Sequence, residues 1–289
     1  MLIVDYSGIA ISGIFSQSAP GKITEEFMRH IILNSLRMYN LKYREKYGQL
    51  ILAVDSGSWR KEYYPEYKAA RKKNRDGSKL DWTEIFSIIN TIRDEITEYL
   101  PYPVVACPRA EADDVIATLV ESTQEFGSYE PVMIISADKD FIQLQKYDNV
   151  SQYSPMTKKM LTNSNPHAFL CEHVLRGDSS DGVPNVLSGD RVFVDGARQT
   201  PLSSKKIDAW YIAAQQGALE TAMSSEIYRN YMRNSKLIDL AYIPDDIKES
   251  IMSIYNSLEK RGNAKVLNYL ISKRCNQLTS CAEEFFTYK

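Results

Sequence analysis

Along the first half of the chain, short apolar runs alternate with longer stretches in which apolar residues recur every three to four positions. Residues 2–4 (LIV), 49–54 (QLILAV), 102–107 (YPVVAC) and 131–136 (PVMIIS) read as buried strands. Residues 24–48, 81–100 and 112–127 read as helices, with Thr24 placed to cap the first, Gly48 to stop it and Pro101 to end the second. The opening MLIVDYSGIAISGIF continues from its strand into a helix. Strands alternating with helices predict an α/β fold, a mostly parallel sheet covered by helices. From about residue 166 the strand signal fades, and the stretch RGDSSDGVPNVLSGD gives way to a helical pattern at 203–223. The expected division is an α/β core over 1–170, which includes a basic segment at 59–79, and a smaller helical part over 171–289.

Composition narrows the class. A chain of 289 residues, 44% of them hydrophobic, has ample material for a sizeable core. Its net charge of −2 does not by itself point to nucleic acid, since separated patches cancel in the sum. The four cysteines form no CxxC pair and there are only three histidines, so free thiols of a reducing compartment are expected rather than zinc or disulfides. The apolar start carries no positive leader and is interrupted by Asp5, which argues against a signal peptide. No run reaches the roughly 18 apolar residues that suggest a membrane span. A soluble intracellular protein is expected.

The acids fall where the strands end. Asp5 follows the first strand and Asp55 the second. Glu111, Asp113 and Asp114 lie just past the third, at the start of a helix, and Asp138 and Asp140 follow the fourth. In a parallel sheet these ends share one edge, the edge outside which open α/β folds bind ligands. Each acid alone has an ordinary reading as a helix cap or a turn residue. Together they would repel one another unless cations neutralised them. Oxygen donors without His or Cys favour Mg²⁺ or Mn²⁺, and two such ions suit phosphoryl displacement. A further pair, Asp178 and Asp181 in RGDSSDG, would share a face if the segment were helical; a flexible polar loop is the other reading.

The segment WRKEYYPEYKAARKKNRDGSK (59–79) interleaves cations with aromatics, a composition suited to phosphates and bases. Lys68, Arg71, Lys72 and Arg75 fit one helix face, and Arg60 and Lys73 add to the positive charge. A solvated charged helix is the plainer alternative.

WRKEYYPEYKAAR, EADD, SADKD and GDSSDG, in that order, resemble the structure-specific 5′-nucleases, a family that includes flap endonucleases and the 5′-nuclease domain of bacterial DNA polymerase I. The likeness covers nearly the whole chain and is nearest to the ribonuclease H and 5′-to-3′ exonuclease branch found in T-even bacteriophages. It implies a PIN-like nuclease core. It also implies metal-site roles for Asp5, Asp55, Glu111, Asp113, Asp114, Asp138, Asp140, Asp178 and Asp181, the last two with Asp140 serving a second ion. It assigns Lys68 and Arg71 to the scissile phosphate, and residues around 59–79 to an arch that handles the 5′ end. A duplex-binding module would begin near Asp181 in modified form, with Lys205 and Lys206 near phosphate. The implied activity is Mg²⁺-dependent removal of RNA primers and 5′ flaps during phage DNA replication, in the cytoplasm of an infected host. DNA and RNA–DNA hybrids are then the substrates, with a sliding clamp and single-strand-binding protein as partners.

Three other readings fit the sequence less well. A PIN-type ribonuclease acting on single-stranded RNA would usually be shorter and lack the long basic segment. A non-catalytic nucleic-acid-binding protein would not need the full set of acids. An aspartate phosphatase needs a second acid two residues after the first, where this chain has Ser7. The C-terminal NQLTSCAEEFFTYK loosely resembles a clamp-binding peptide through Gln277, Leu278, Phe285 and Phe286; the alternative is that the two phenylalanines pack on the core.

Overall fold

The computed structural model describes residues 1–17, 23–78, 80–124, 128–259 and 261–287. Its elements in chain order begin with β1 (Leu2–Asp5), α1 (Tyr6–Gln17), α2 (Glu25–Tyr47), β2 (Leu50–Val54), α3 (Arg60–Tyr63), α4 (Ala69–Asp76), α5 (Trp82–Tyr99), β3 (Val104–Ala106), α6 (Ala112–Ser122) and β4 (Val132–Ile135). A 3₁₀ helix (Lys139–Lys146), β5 (Val150–Ser154) and β6 (Lys159–Leu161) follow. The remainder is helical: α7 (Pro166–Arg176), α8 (Ser204–Gln215), α9 (Leu219–Ala222), α10 (Ser225–Ile238), α11 (Asp245–Ser257), α12 (Val266–Ser272) and α13 (Asn276–Thr279), with short 3₁₀ turns.

By packing, the chain forms two compact units: Met1–Gly57 with Asp81–Thr162 and Asp245–Lys289, and Ser58–Leu80 with Asn163–Pro244. The boundary near residue 170 divides the sequence; packing divides the chain differently. The basic segment groups with the helices after residue 163, and the last helices return to the α/β unit.

The α/β unit holds one six-stranded sheet in the order β3-β2-β1-β4-β5-β6. The first five strands are parallel and β6 runs antiparallel to β5. Strands β1, β2 and β4 are apolar without alternation because both of their faces are buried. Leu2, Val4 and Leu52 pack with Ile14, Leu33, Leu36 and Ile92 from the helices. The expected caps form: the Thr24 hydroxyl accepts from Phe27 N at 3.2 Å, and Gly48 ends α2 at φ +75°. Helix α6 stops at Ser122, short of the expected 127; residues 125–127 lie outside the described ones. The expected helix at 203–223 is broken at Gly217 (φ +67°) into α8 and α9. Strands β5 and β6 were not anticipated. Their sequences, VSQYS and KML, carry no apolar run, and β5 alternates buried and half-buried positions.

The tail belongs to this core. Phe285 is fully buried and Leu278 nearly so, in one cluster with Tyr269 and Leu270. Asn40 Nδ2 donates to the Glu284 carbonyl at 2.8 Å and the Phe286 carbonyl at 3.2 Å, Arg37 pairs with Glu284, and Asn263 bonds both backbone groups of Thr287. Of the residues considered for clamp binding, Gln277 alone is exposed, because burying Phe285 removes more apolar surface from water than any exposed use of it would.

In the helical unit, Tyr64 and Tyr67 pack with Val174, Val183, Leu237 and Ile238, while Trp210, Ile207, Leu175 and Met223 form a second cluster. All four cysteines are free thiols, two buried and two half-buried. Among the described residues no helix is long and apolar enough to cross a membrane.

Phe285→Ala should lower stability by about 3 kcal/mol, the usual range for emptying a buried aromatic site, and Phe286→Ala by less. Denaturant unfolding of the two variants checks this. Unchanged stability for Phe285→Ala would leave the tail outside the core.

Candidate active site

The sheet delivers its acids in the α/β unit as the strand ends predict. Asp5 ends β1 beside Ala53 of β2, and Asp55 follows β2 directly. The loops after β2 and β3 are laced together: Ser56 N donates to the Ala110 carbonyl at 2.9 Å and Arg109 N to the Ser56 carbonyl at 2.9 Å. Gly57 is needed there, since at φ +108° a Cβ would stand 3.2 Å from the Arg109 backbone. This lacing sets the N-terminus of α6 against Asp55, whose Oδ1 accepts from Ala112 N at 2.9 Å. Glu111 is the buried N-cap residue of α6. Asp114, fully buried, turns back to accept from Glu111 N at 2.9 Å, so it shapes the start of the helix, while Asp113 in the same first turn is only half-buried.

The other acids form a hydrogen-bonded chain. Asp5 Oδ1 accepts from Gly8 N at 2.8 Å, and its Oδ2 accepts from the Ser136 hydroxyl at 3.0 Å. Ser136 Oγ in turn accepts from Asp138 N at 3.1 Å, and Asp138 Oδ1 accepts from Asp140 N at 2.9 Å, capping the 3₁₀ helix. Gln152 of β5, fully buried, donates to the carbonyls of Ser136 (3.1 Å) and Asp138 (2.6 Å) and fixes the loop. Burial pushes the Asp5 carboxyl up to about 6; the Gly8 and Ser136 bonds oppose this, and the charges of Asp55 and Asp138 add to it. The neighbouring charges that act on it most are therefore of its own sign. An all-oxygen donor set gathered at strand ends fits a hard divalent cation.

Three residues that sequence reasoning passed over hold this set. Gly8 allows the turn of α1 to close on Asp5, for a Cβ there would meet Oδ2 at 2.3 Å. Ser136 and Gln152 have no charge to attract notice. A buried glutamine in an otherwise polar strand was the only signal, and it becomes legible once the strand is known.

The second pair of acids lies in the helical unit, on a turn rather than a helix. Asp178 Oδ1 accepts from Ser180 N and Ser180 Oγ, both at 2.7 Å, and from Asp181 N at 3.3 Å. Gly177 at φ +67° permits the turn, since a Cβ would collide with the Val183 and Pro184 carbonyls. Asp181 is held by the basic segment. Its Oδ2 accepts from Tyr67 OH at 3.0 Å and lies 3.5 Å from Lys68 Nζ, and its Oδ1 is paired with Arg71. Lys68 N also donates to the Asp181 carbonyl at 2.7 Å.

Several expectations for the basic segment are corrected. Lys68 does not share a helix face with Arg71 and Arg75: it precedes α4 in the left-handed region at φ +57°. Trp59, Tyr64 and Tyr67 are buried, because their apolar rings fill the core of their own unit; Tyr63 alone of these aromatics is exposed. Arg60 is 2% exposed, with Nε donating to the Leu237 carbonyl at 2.9 Å and its guanidinium over the Trp59 ring, so it supports the fold and does not face nucleic acid. Arg75 is exposed on α4; the side chains of Lys72 and Lys73 lie outside the described part, as does residue Lys79. Lys205 and Lys206 are exposed in the first turn of α8.

A parallel sheet ending in carboxylates, with a basic segment in the companion unit, suits a metal-dependent phosphodiesterase. Comparison with known proteins places it. Residues 1–171 match the family described as 5′-3′ exonuclease, N-terminal resolvase-like domain, and residues 165–285 match the C-terminal domain of the T4 RNase H type. The chain is 34% identical to the ribonuclease H of Enterobacteria phage T4, over 98% of this chain and 95% of that protein. Among solved structures, a bacteriophage T5 protein crystallised with metal ions aligns at TM-score 0.61 and 18% identity, over 88% of this chain and 98% of the other. The T5 flap endonuclease in a pseudo-enzyme–product complex with DNA and metal ions aligns at 0.58 and 19%, over 89% and 99%. The protein belongs to the 5′-3′ exonuclease family and is a metal-dependent nuclease of that family.

The raised Asp5 pKa has a consequence for metal-free stability. Its folded value, about 6, lies above the ordinary 3.8, so the folded state holds the extra proton and stability falls as pH rises between those values. Asp5→Asn should abolish this component, making the metal-free variant more stable than wild type above pH ~6 by on the order of 2 kcal/mol, with the gap closing below pH ~4. Thermal unfolding in EDTA across that range is the measurement; a gap independent of pH would remove the assignment.

Proposed function

We propose that the protein is a Mg²⁺-dependent 5′-to-3′ exonuclease and flap endonuclease that removes RNA primers and 5′ flaps during phage DNA replication, working in the cytoplasm of the infected host. The observation that supports this most is the convergence of Asp5, Asp55, Glu111, Asp113 and Asp138 on the carboxyl edge of one parallel sheet, with the Asp5 carboxyl pushed up by burial and, to a lesser degree, by the like charges of Asp55 and Asp138. The relatives agree in substrate class: one bears the name ribonuclease H and another was solved with DNA and metal ions.

Asp5, Asp55, Asp113 and Asp138 supply the central oxygen set, with Asp140 beside them. Glu111 and Asp114 hold the α6 N-terminus in register with Asp55. Two Mg²⁺ ions, when bound, lower the pKa of water and neutralise charge on the transferring phosphoryl group. The Ser136 hydroxyl orients the Asp5 carboxylate and favours its charged form against the effect of burial, and the charged form is the one a cation requires. In the helical unit, Lys68 and Arg71 neutralise a phosphate, Asp178 and Asp181 supply further oxygens, and Arg75, Lys72, Lys73, Lys205 and Lys206 add backbone phosphate contacts.

A 5′-labelled flap duplex and an RNA–DNA hybrid, each with Mg²⁺ or with EDTA, test the reading. Cleavage of either should require Mg²⁺. Asp113→Asn or Asp138→Asn should lower kcat by on the order of a hundredfold or more while metal-free binding survives. Wild-type turnover in either variant with excess Mg²⁺ would sink the metal assignment. Lys68→Ala and Arg71→Ala should slow cleavage more than they weaken binding, because many phosphate contacts share the binding energy. Parallel losses of rate and affinity would make them ordinary phosphate grips.

A further inference from the structure

The two cations assigned to phosphate are already occupied within their own unit. Both oxygens of the Asp181 carboxylate are used: Oδ1 by Arg71, Oδ2 by Lys68 and the Tyr67 hydroxyl. The contact is built into the fold. The side chains of Lys68 and Asp181 are each only 13% exposed, and the backbones are tied by Lys68 N to the Asp181 carbonyl at 2.7 Å. Arg71 Nε also donates to the Ser180 carbonyl at 3.3 Å, and Gly182 at φ +73° lets the turn close on residue 66, whose carbonyl would lie 3.1 Å from an added Cβ. A carboxylate offers a guanidinium and an ammonium the same pair of acceptor oxygens as a phosphodiester.

We propose that Asp181 is an internal stand-in for phosphate: without nucleic acid its carboxylate occupies Lys68 and Arg71, and a substrate phosphate must displace it. This rests on the reading of Lys68 and Arg71 as phosphate cations. The exchange trades one anion for another, so the displaced Asp181 would stand beside the incoming phosphate as a like charge. A divalent cation on Asp181 relieves that repulsion, so ion and phosphate each favour the binding of the other, by the same factor in both directions. The contact therefore keeps the cations from gripping phosphates where no metal is bound.

The test is metal-free binding of a 5′-flap duplex in EDTA, followed across salt concentration. Asp181→Asn should bind on the order of tenfold more tightly than wild type at ~0.1 M salt, with a steeper salt slope. Asp178→Asn removes the same charge from the same turn without touching Lys68 or Arg71, and should gain less than about twofold. Combining Asp181→Asn with Lys68→Ala and Arg71→Ala should erase the gain. Equal gains from both aspartate variants, or a gain that persists in the triple variant, would reduce the effect to general repulsion and overturn the proposal. Arg71→Ala alone, a change at a half-exposed site that does not depend on Asp181→Asn folding, should alter the metal-free slope by well under one unit. A full unit overturns the proposal, as does an absence of metal-free binding in both wild type and Asp181→Asn. Failure of the wild type to cleave with Mg²⁺ would count against the nuclease reading and leave these binding differences to be judged separately.

Discussion

Like charges at the ends of buried parallel strands are the constraint on which the α/β unit is organised. Asp5, at the end of a strand flanked on both sides by neighbours, is half-buried, and that burial makes its charge costly. The surroundings reduce that cost with fixed donors and leave a remainder. Gly8 N and the Ser136 hydroxyl bind the two oxygens, Ala112 N does the same for Asp55, and the amide of Gln152 locks the carbonyls behind the loop so that Ser136 stays in place. None of these donors carries a positive charge, and an all-oxygen donor set of this kind suits a hard cation.

The helical unit solves the opposite problem by a different device. Its basic segment is anchored by aromatic residues that pack inward and by the buried Arg60, so its cations sit on a rigid base. There a neighbouring carboxylate provides the counter-charge, and the pairing is local. One unit gathers carboxylates at its strand ends and the other pairs its cations with a carboxylate of its own. That division of labour suits a nuclease whose substrate carries one kind of charge and whose cofactor carries the other.

Much of this was legible in the sequence, for reasons that vary by residue. The parallel strands could be read because burial on both faces demands unbroken apolar runs, and the acids stood out because charges at the ends of such runs need explaining. Helix α2 announced its limits through Thr24 and Gly48. Strand β5 did not announce itself, since its central residue is a glutamine that serves the acidic loop rather than the core. The aromatics at 59–67 misled for the complementary reason: Tyr and Trp suit a base stack and a protein core equally well, and only packing decides between them. Lys68 misled because helical spacing was applied across a residue whose backbone is left-handed. The fate of Phe285 depended on Asn40 and Arg37, some 245 residues earlier in the chain, and no local pattern reports a contact at that separation.

The return of the last segment to the α/β unit bears on how the protein is made. The sheet and all of its strand-end acids are encoded before residue 163, yet Tyr269, Leu270 and Phe285 complete the core beneath it. In chain order the sheet precedes the helices that intervene and then the segment that closes its apolar floor, so the core is complete only when all three are present. Chain termination anywhere in that interval would release a polypeptide with every acid of its site and an unfinished interior. A stable nuclease core is thereby joined to the presence of the helical unit that bears the cations, because the segment that closes the core lies beyond that unit in the chain.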